Sequence, residues 1–165
     1  MGFSLHLHTC NLGTEIRMCQ NPFTGEAISI PRDPGLTLDE SQAVRRLLEE
    51  VEAGEPDADT YRHIEFADGS LVSVAVGRLL AEGAACRALA VECSVLTASV
   101  ADFLYALASR GNLSIGSSID PKVVVLLRAE QSKLVSRRWP EANVVESPSQ
   151  LRDWLERNLQ VGKIV

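Results

Sequence analysis

Apolar and polar positions alternate from Ser4 to Cys10, with Leu5, Leu7 and Thr9 on one face and His6, His8 and Cys10 on the other. That period of two predicts a strand half covered by a core. Glu15 to Gln20 and Glu26 to Ile30 flank Asn21-Pro22-Phe23-Thr24-Gly25, a five-residue hairpin loop in which Pro presets the turn and Gly supplies a positive φ. The chain is thus expected to open as an antiparallel meander. Thr37-Leu38-Asp39-Glu40 reads as a capping box. Val44, Leu47, Leu48 and Val51 then recur at helical spacing until Gly54. A polar linker, Glu55 to Asp59, leads to a second hairpin, Tyr61–Phe66 and Leu71–Val76, turned through Asp68-Gly69.

Beyond residue 88 strands and helices alternate. Ala88 to Cys93 reads as a short apolar strand, and Ala98 to Ser109 as a helix with Val100, Phe103, Leu104 and Leu107 inward, stopped by Gly111. Val123 to Leu127 has no polar alternation, the mark of a strand covered on both faces, and is expected at the centre of the sheet. Glu130 to Arg138 predicts a short helix ending before Pro140, and Asn143 to Glu146 a brief strand. Ser147 caps a last helix with Pro148 at its first position and Leu151, Trp154 and Leu155 inward. The expectation is one α+β (mixed α/β) domain over residues 1–165. Its sheet is mixed and largely antiparallel, with N-terminal hairpins, a β-α-β-α C-terminal half and helices packed on the sheet.

Composition supports independent folding: 165 residues, 45% hydrophobic and 23% charged, suffice for a core without staples. The chain shows no signal peptide or apolar run of membrane length, so a reducing, cytoplasmic compartment is expected, with Cys10, Cys19, Cys86 and Cys93 as free thiols. Thirteen Arg against three Lys suggest a GC-rich bacterial genome. Charge is uneven: residues 1–68 carry a balance of −8 and residues 69–165 a balance of +2, for −6 overall. An acidic half disfavours nucleic acid as a direct ligand and suits cationic partners.

The sharpest chemical feature is His6-Leu-His8-Thr-Cys10, which puts two imidazoles and a thiol on one strand face, where zinc can be held with Cys19 as a fourth ligand. Leu5-His6-Leu7-His8-Thr9 also resembles the first metal motif of the polymerase-and-histidinol-phosphatase family of metal-dependent phosphoesterases. The likeness ends after five residues. Ser4 stands where that family has an acid, His63 is the one remaining histidine, and the chain is too short for the family's barrel.

His63 lies on the polar face of its strand with Glu65, where a histidine–carboxylate pair is possible, and Cys86 and Cys93 read as inert. Gly111 to Ser118 lacks a phosphate-loop lysine and is expected to be a helix stop and loop. Neither a Gly-x-Ser-x-Gly elbow nor a dinucleotide fingerprint occurs. Glu49, Glu50, Glu52, Glu55, Asp57 and Asp59 form a cluster without a cation, and the first three sit where the helix dipole disfavours negative charge. Arg128, Lys133, Arg137 and Arg138 make an opposing basic patch.

These features favour a non-catalytic bacterial protein-binding module that meets a basic protein through the acidic cluster, with an immunity or antitoxin-like role as its most concrete form. Self-association as a homodimer is compatible with it. The alternatives are a small zinc-type enzyme using His6, His8 and Cys10, or a small-ligand domain with a pocket near Gly116 to Asp120.

Overall fold

The apolar side of β1 (Phe3–Thr9), carrying the fully buried Leu5 and Leu7, organises the molecule. The computed structural model describes residues 2–11 and 15–159. A hairpin follows β1, formed by β2 (Glu15–Gln20) and β3 (Ala27–Arg32), then helix α1 (Leu38–Glu50). Next come β4 (Tyr61–Glu65), β5 (Leu71–Ala75), the single turn α2 (Gly77–Leu80) and β6 (Ala88–Cys93). Helix α3 (Ala98–Arg110), β7 (Leu113–Ser117), β8 (Val124–Leu126), α4 (Ala129–Val135), β9 (Asn143–Val144) and α5 (Pro148–Asn158) complete the order.

Seven strands form one sheet in the order β4-β5-β6-β1-β7-β8-β9, antiparallel throughout except for β8 beside β9. The α+β class and the mostly antiparallel mixed sheet are therefore as the sequence predicts. Helices α1, α3 and α5 cover one face. Val44, Leu47 and Leu48 of α1, Val100, Phe103, Leu104 and Leu107 of α3, and Leu151, Trp154 and Leu155 of α5 share one core with Leu5, Leu7, Val74, Val91 and Ile115. Thr37 caps α1 through the expected capping box, and Ser147 caps α5 with Pro148 in its first turn.

Three expectations change. The hairpin β2–β3 does not extend the meander but forms a two-stranded sheet of its own. The centre belongs to β1, while β8, though buried on both sides, lies next to the short edge strand β9. Residues 113–117, expected as loop, pair with β1 as β7, because Leu113 and Ile115 continue the core face and complete its ladder. Gly111 does follow the last turn of α3, but the left-handed residue there is Asn112, at φ 50°, not the glycine. The Gly111 φ is −88°, and a Cβ there would meet Leu113 and Val44 side chains at 2.9 to 3.0 Å.

Among the described residues, the opposite sheet face is covered at the β8 end. There α4 and Trp139 close over Cys10, Val124 and Leu126 in a second, smaller cluster. His6, Ala88, Ala90, Ser73 and Ala75 lie uncovered or half-covered on the rest of that face. Among the described residues no helix is long and apolar enough to cross a membrane.

Candidate functional site

Three regions carry the residues singled out by the sequence. The first is the acidic end of α1. Arg62 points inward on β4, on the same side as Ile64, and is 7% exposed. Its guanidinium donates to Glu49 Oε1 at 2.8 Å, to Ala53 O at 2.6 Å and to Gly54 O at 2.8 Å. From α3, Arg110 forks onto both Glu50 oxygens at 2.7 and 3.0 Å and holds the Glu50 carboxyl below the ordinary carboxylate range. The cations absent from the helix's own last turn thus arrive from two other elements, and Arg62 also satisfies backbone carbonyls just past the helix end.

The linker that follows lies along the outer edge of β4. Gly54 N–H donates to His63 O and Asp57 N–H to Tyr61 O, each at 2.9 Å, which caps the unpaired strand edge. Asp57 accepts backbone N–H bonds from Asp59 and Tyr61 and pairs with His63 Nε2 at 2.8 Å. The Tyr61 N–H first, then His63, lowers its pKa. His63 Nδ1 meets Ser73 Oγ at 2.8 Å, which completes an Asp57–His63–Ser73 chain. The histidine–carboxylate pair expected with Glu65 forms with Asp57 instead. Ser73 sits mid-strand, between β4 and β6, opposite His63 on one side and Glu92 on the other.

Glu52, Glu55 and Asp59 are exposed. Two non-glycine residues here have left-handed backbone, Glu52 at φ 54° and Thr60 at φ 64°, the second an unusual conformation for a β-branched side chain.

The second region is the uncovered face around β1. His6 and His8 project on the same side, as the alternation predicts, with ring centroids 6.2 Å apart. His8 leans on Trp139 at 5.7 Å, and Arg138 stacks over the same indole at 4.7 Å. Burial first, then Arg138 and His6, lower the His8 pKa, with Asp33 opposing. A recess of about 410 Å³ is bounded by His6, His8, Gly116, Ser118, Lys122, Arg138 and Trp139 among others. Trp139, Lys122 and Arg138 were not legible as its walls, because they are brought to β1 by the segment after α4 and by the β7–β8 loop.

The expected metal set divides between the β1 segment, with His6, His8 and Cys10, and the hairpin, with Cys19. Cys10 is fully buried in the small cluster, and burial pushes its thiol up to about 12. Cys19 lies on the separate hairpin. Among the described residues no group of three or more His, Cys, Asp or Glu side chains is placed to hold an ion, and all four cysteines are free.

The third region is the hairpin. Ile28 and Ile30 lie opposite Cys19 and Arg17 on one face, and Met18 opposite Ser29 on the other. Met18 is 64% exposed, Ile30 45%, Ile28 39% and Phe23, at the tip, 95%. The hairpin's foot is fixed: Asp33 accepts from Thr9 Oγ1 at 2.6 Å and from Gly35 N–H at 2.8 Å, and Arg87 donates to Asp33 O. Gly35 is required there, with φ 83° and no room for a Cβ, which would stand 2.7 Å from Cys86 O.

No family model matches this chain, and no curated protein or solved structure is significantly similar to it. The functional reading therefore rests on geometry.

Proposed function

We propose that this chain is a non-catalytic protein-binding module that engages a basic protein partner, with the β2–β3 hairpin as the principal contact and the acidic surface of Glu52, Glu55 and Asp59 as the steering element. The observation that carries this reading is the hairpin. A two-stranded sheet by itself is marginal in water, and this one displays Met18, Phe23, Ile28 and Ile30 to solvent from a foot pinned to the body. Exposed apolar side chains concentrated on one hairpin, Ile28 and Ile30 on one face and Met18 on the other, support an interaction surface. The net charge of −6 favours fast association with a cationic surface and weakens that association as salt rises. Of the six acidic positions singled out in the sequence, Glu49, Glu50 and Asp57 have partners within the fold. The partner-facing role is accordingly assigned to the other three. Holding a cationic enzyme inactive, as an immunity-like protein does, is the most concrete form of such binding.

The test is affinity capture from native cell extract with three baits: wild type, the hairpin variant Met18→Ser/Phe23→Ser/Ile30→Ser, and the acidic variant Glu52→Gln/Glu55→Gln/Asp59→Asn. The expected result is one basic protein retained by wild type and lost by the hairpin variant. The acidic variant should associate more slowly with the same purified partner, with reduced salt dependence. Equal retention by the hairpin variant, or an acidic protein as the retained partner, contradicts the reading.

A further inference from the structure

The recess on the uncovered face of β1 has a chemistry opposite to that of the whole chain. In a protein of net charge −6, its walls hold the ammonium of Lys122, the guanidinium of Arg138 and the imidazoles of His6 and His8, and among the described residues no carboxylate lines it; Asp33, the acid that acts on His8, accepts from Thr9 and Gly35. Asp120, the nearest acid in sequence, caps the Lys122 backbone N–H through its Oδ1 at 2.9 Å. Across His6 a second, shallower recess adds Arg78 over a floor of Ala75, Ala88 and Ala90, again without an acid.

Among the described residues neither Lys122 nor Arg138 forms an ion pair, and Arg138 is held by its stack on Trp139 rather than by a carboxylate. Arg62 and Arg110, by contrast, both reach Glu side chains. Unmatched cations converging on a concave site with hydroxyls and an apolar wall are the elements of small-anion recognition. The floor is open as well. A Cβ built on Gly116 would meet only ordinary contacts, 3.5 Å from His6 O and from Val124 Cγ2, so the missing side chain leaves usable space above the strand.

We propose that this recess binds a small organic anion carrying a phosphate or carboxylate group. Lys122 and Arg138 receive the charged group, the Ser118 hydroxyl and the imidazoles supply further hydrogen bonds, and Val124 and Trp139 flank the uncharged body. The recess volume of about 410 Å³ accommodates a compact metabolite rather than a polymer. The site is separate from the hairpin contact proposed above, so the two stand or fall independently.

The probes are phenyl phosphate, benzoate and inorganic phosphate, titrated into the full chain and followed by the His6 and His8 imidazole resonances and by tryptophan fluorescence. Saturable shifts at both histidines with phenyl phosphate or benzoate are expected, and comparison of the two distinguishes a phosphate from a carboxylate preference. Lys122→Gln/Arg138→Gln is expected to weaken binding at least tenfold. Gly116→Leu, which fills the recess without touching a charge, should abolish it while the far-ultraviolet circular dichroism stays that of wild type. Glu52→Gln/Glu55→Gln should bind as wild type does. Absence of saturation with every probe, or unchanged affinity in both recess variants, overturns the proposal. Equal response to inorganic phosphate alone, insensitive to Gly116→Leu, reduces the site to nonspecific charge and overturns it too.

Discussion

The acidic end of α1 and the histidine face of β1 invert each other's appearance between sequence and structure. In sequence the first is a run of uncompensated carboxylates and the second a metal-like pattern. In the fold, the carboxylates nearest the helix are matched by Arg62 and Arg110, while the histidine face acquires two cations, Lys122 and Arg138, that form no ion pair among the described residues. Charge that is unbalanced along the chain is often balanced in space, and the converse also holds. A local excess becomes evidence for a binding surface only after the tertiary partners have been counted.

The largest effect is expected from removing Arg62. Arg62→Ala leaves Ala53 O, Gly54 O and Glu49 without their shared donor and uncovers the linker along β4. A destabilisation of about 3 kcal/mol is expected in urea unfolding, as for the loss of a buried, charged hydrogen-bonding group. Glu49→Gln should cost a small part of that, because its side chain is 72% exposed. Equal losses would mean that the ion pair, not the carbonyl anchoring, holds the helix end.

The left-handed Glu52 supplies a gain of opposite sign. Glu52→Gly relieves a backbone conformation that glycine adopts freely, and a stabilisation of about 1 kcal/mol is expected from thermal unfolding. No gain would show that the Glu52 side chain contributes as much as its backbone costs.

On the other face, the lowered pKa of His8 gives a smaller, pH-dependent signature. The folded chain holds the His8 proton more weakly than the unfolded chain does, so in the window just below the ordinary histidine value the unfolded state binds more protons. Stability should therefore rise with pH through that window and fall on acidification. His8→Gln should flatten that part of the profile. A bound anion should raise the His8 pKa in an NMR titration, whereas Glu52→Gln should leave it unmoved.

Much of the scaffold was legible because it is written locally. Thr37 and Glu40 form the capping box, Asp68-Gly69 turns the second hairpin, and Leu5 and Leu7 alternate with His6 and His8. What escaped depends on contacts far apart in sequence. The strand Leu113–Ser117 is defined by its pairing with β1, which its serines and glycine do not announce. Arg62 alternates with Ile64 and so already signals an inward arginine, but its acceptors, residues 49 to 54, are apparent only once β4 has returned beside the helix end. The anion recess needs the segment after α4 and the β7–β8 loop to reach β1, and no spacing within either segment announces that meeting.

The most direct test of the central claim, that the β2–β3 hairpin is a protein-binding element, is photo-crosslinking in native cells from a photoreactive phenylalanine analogue at position 23. The same analogue at Leu38, also an exposed apolar position at 73%, serves as the control. A discrete adduct with one basic protein is expected from position 23, and none from position 38. Adducts that are equal at the two positions, or that contain only a second copy of this chain, would contradict the claim.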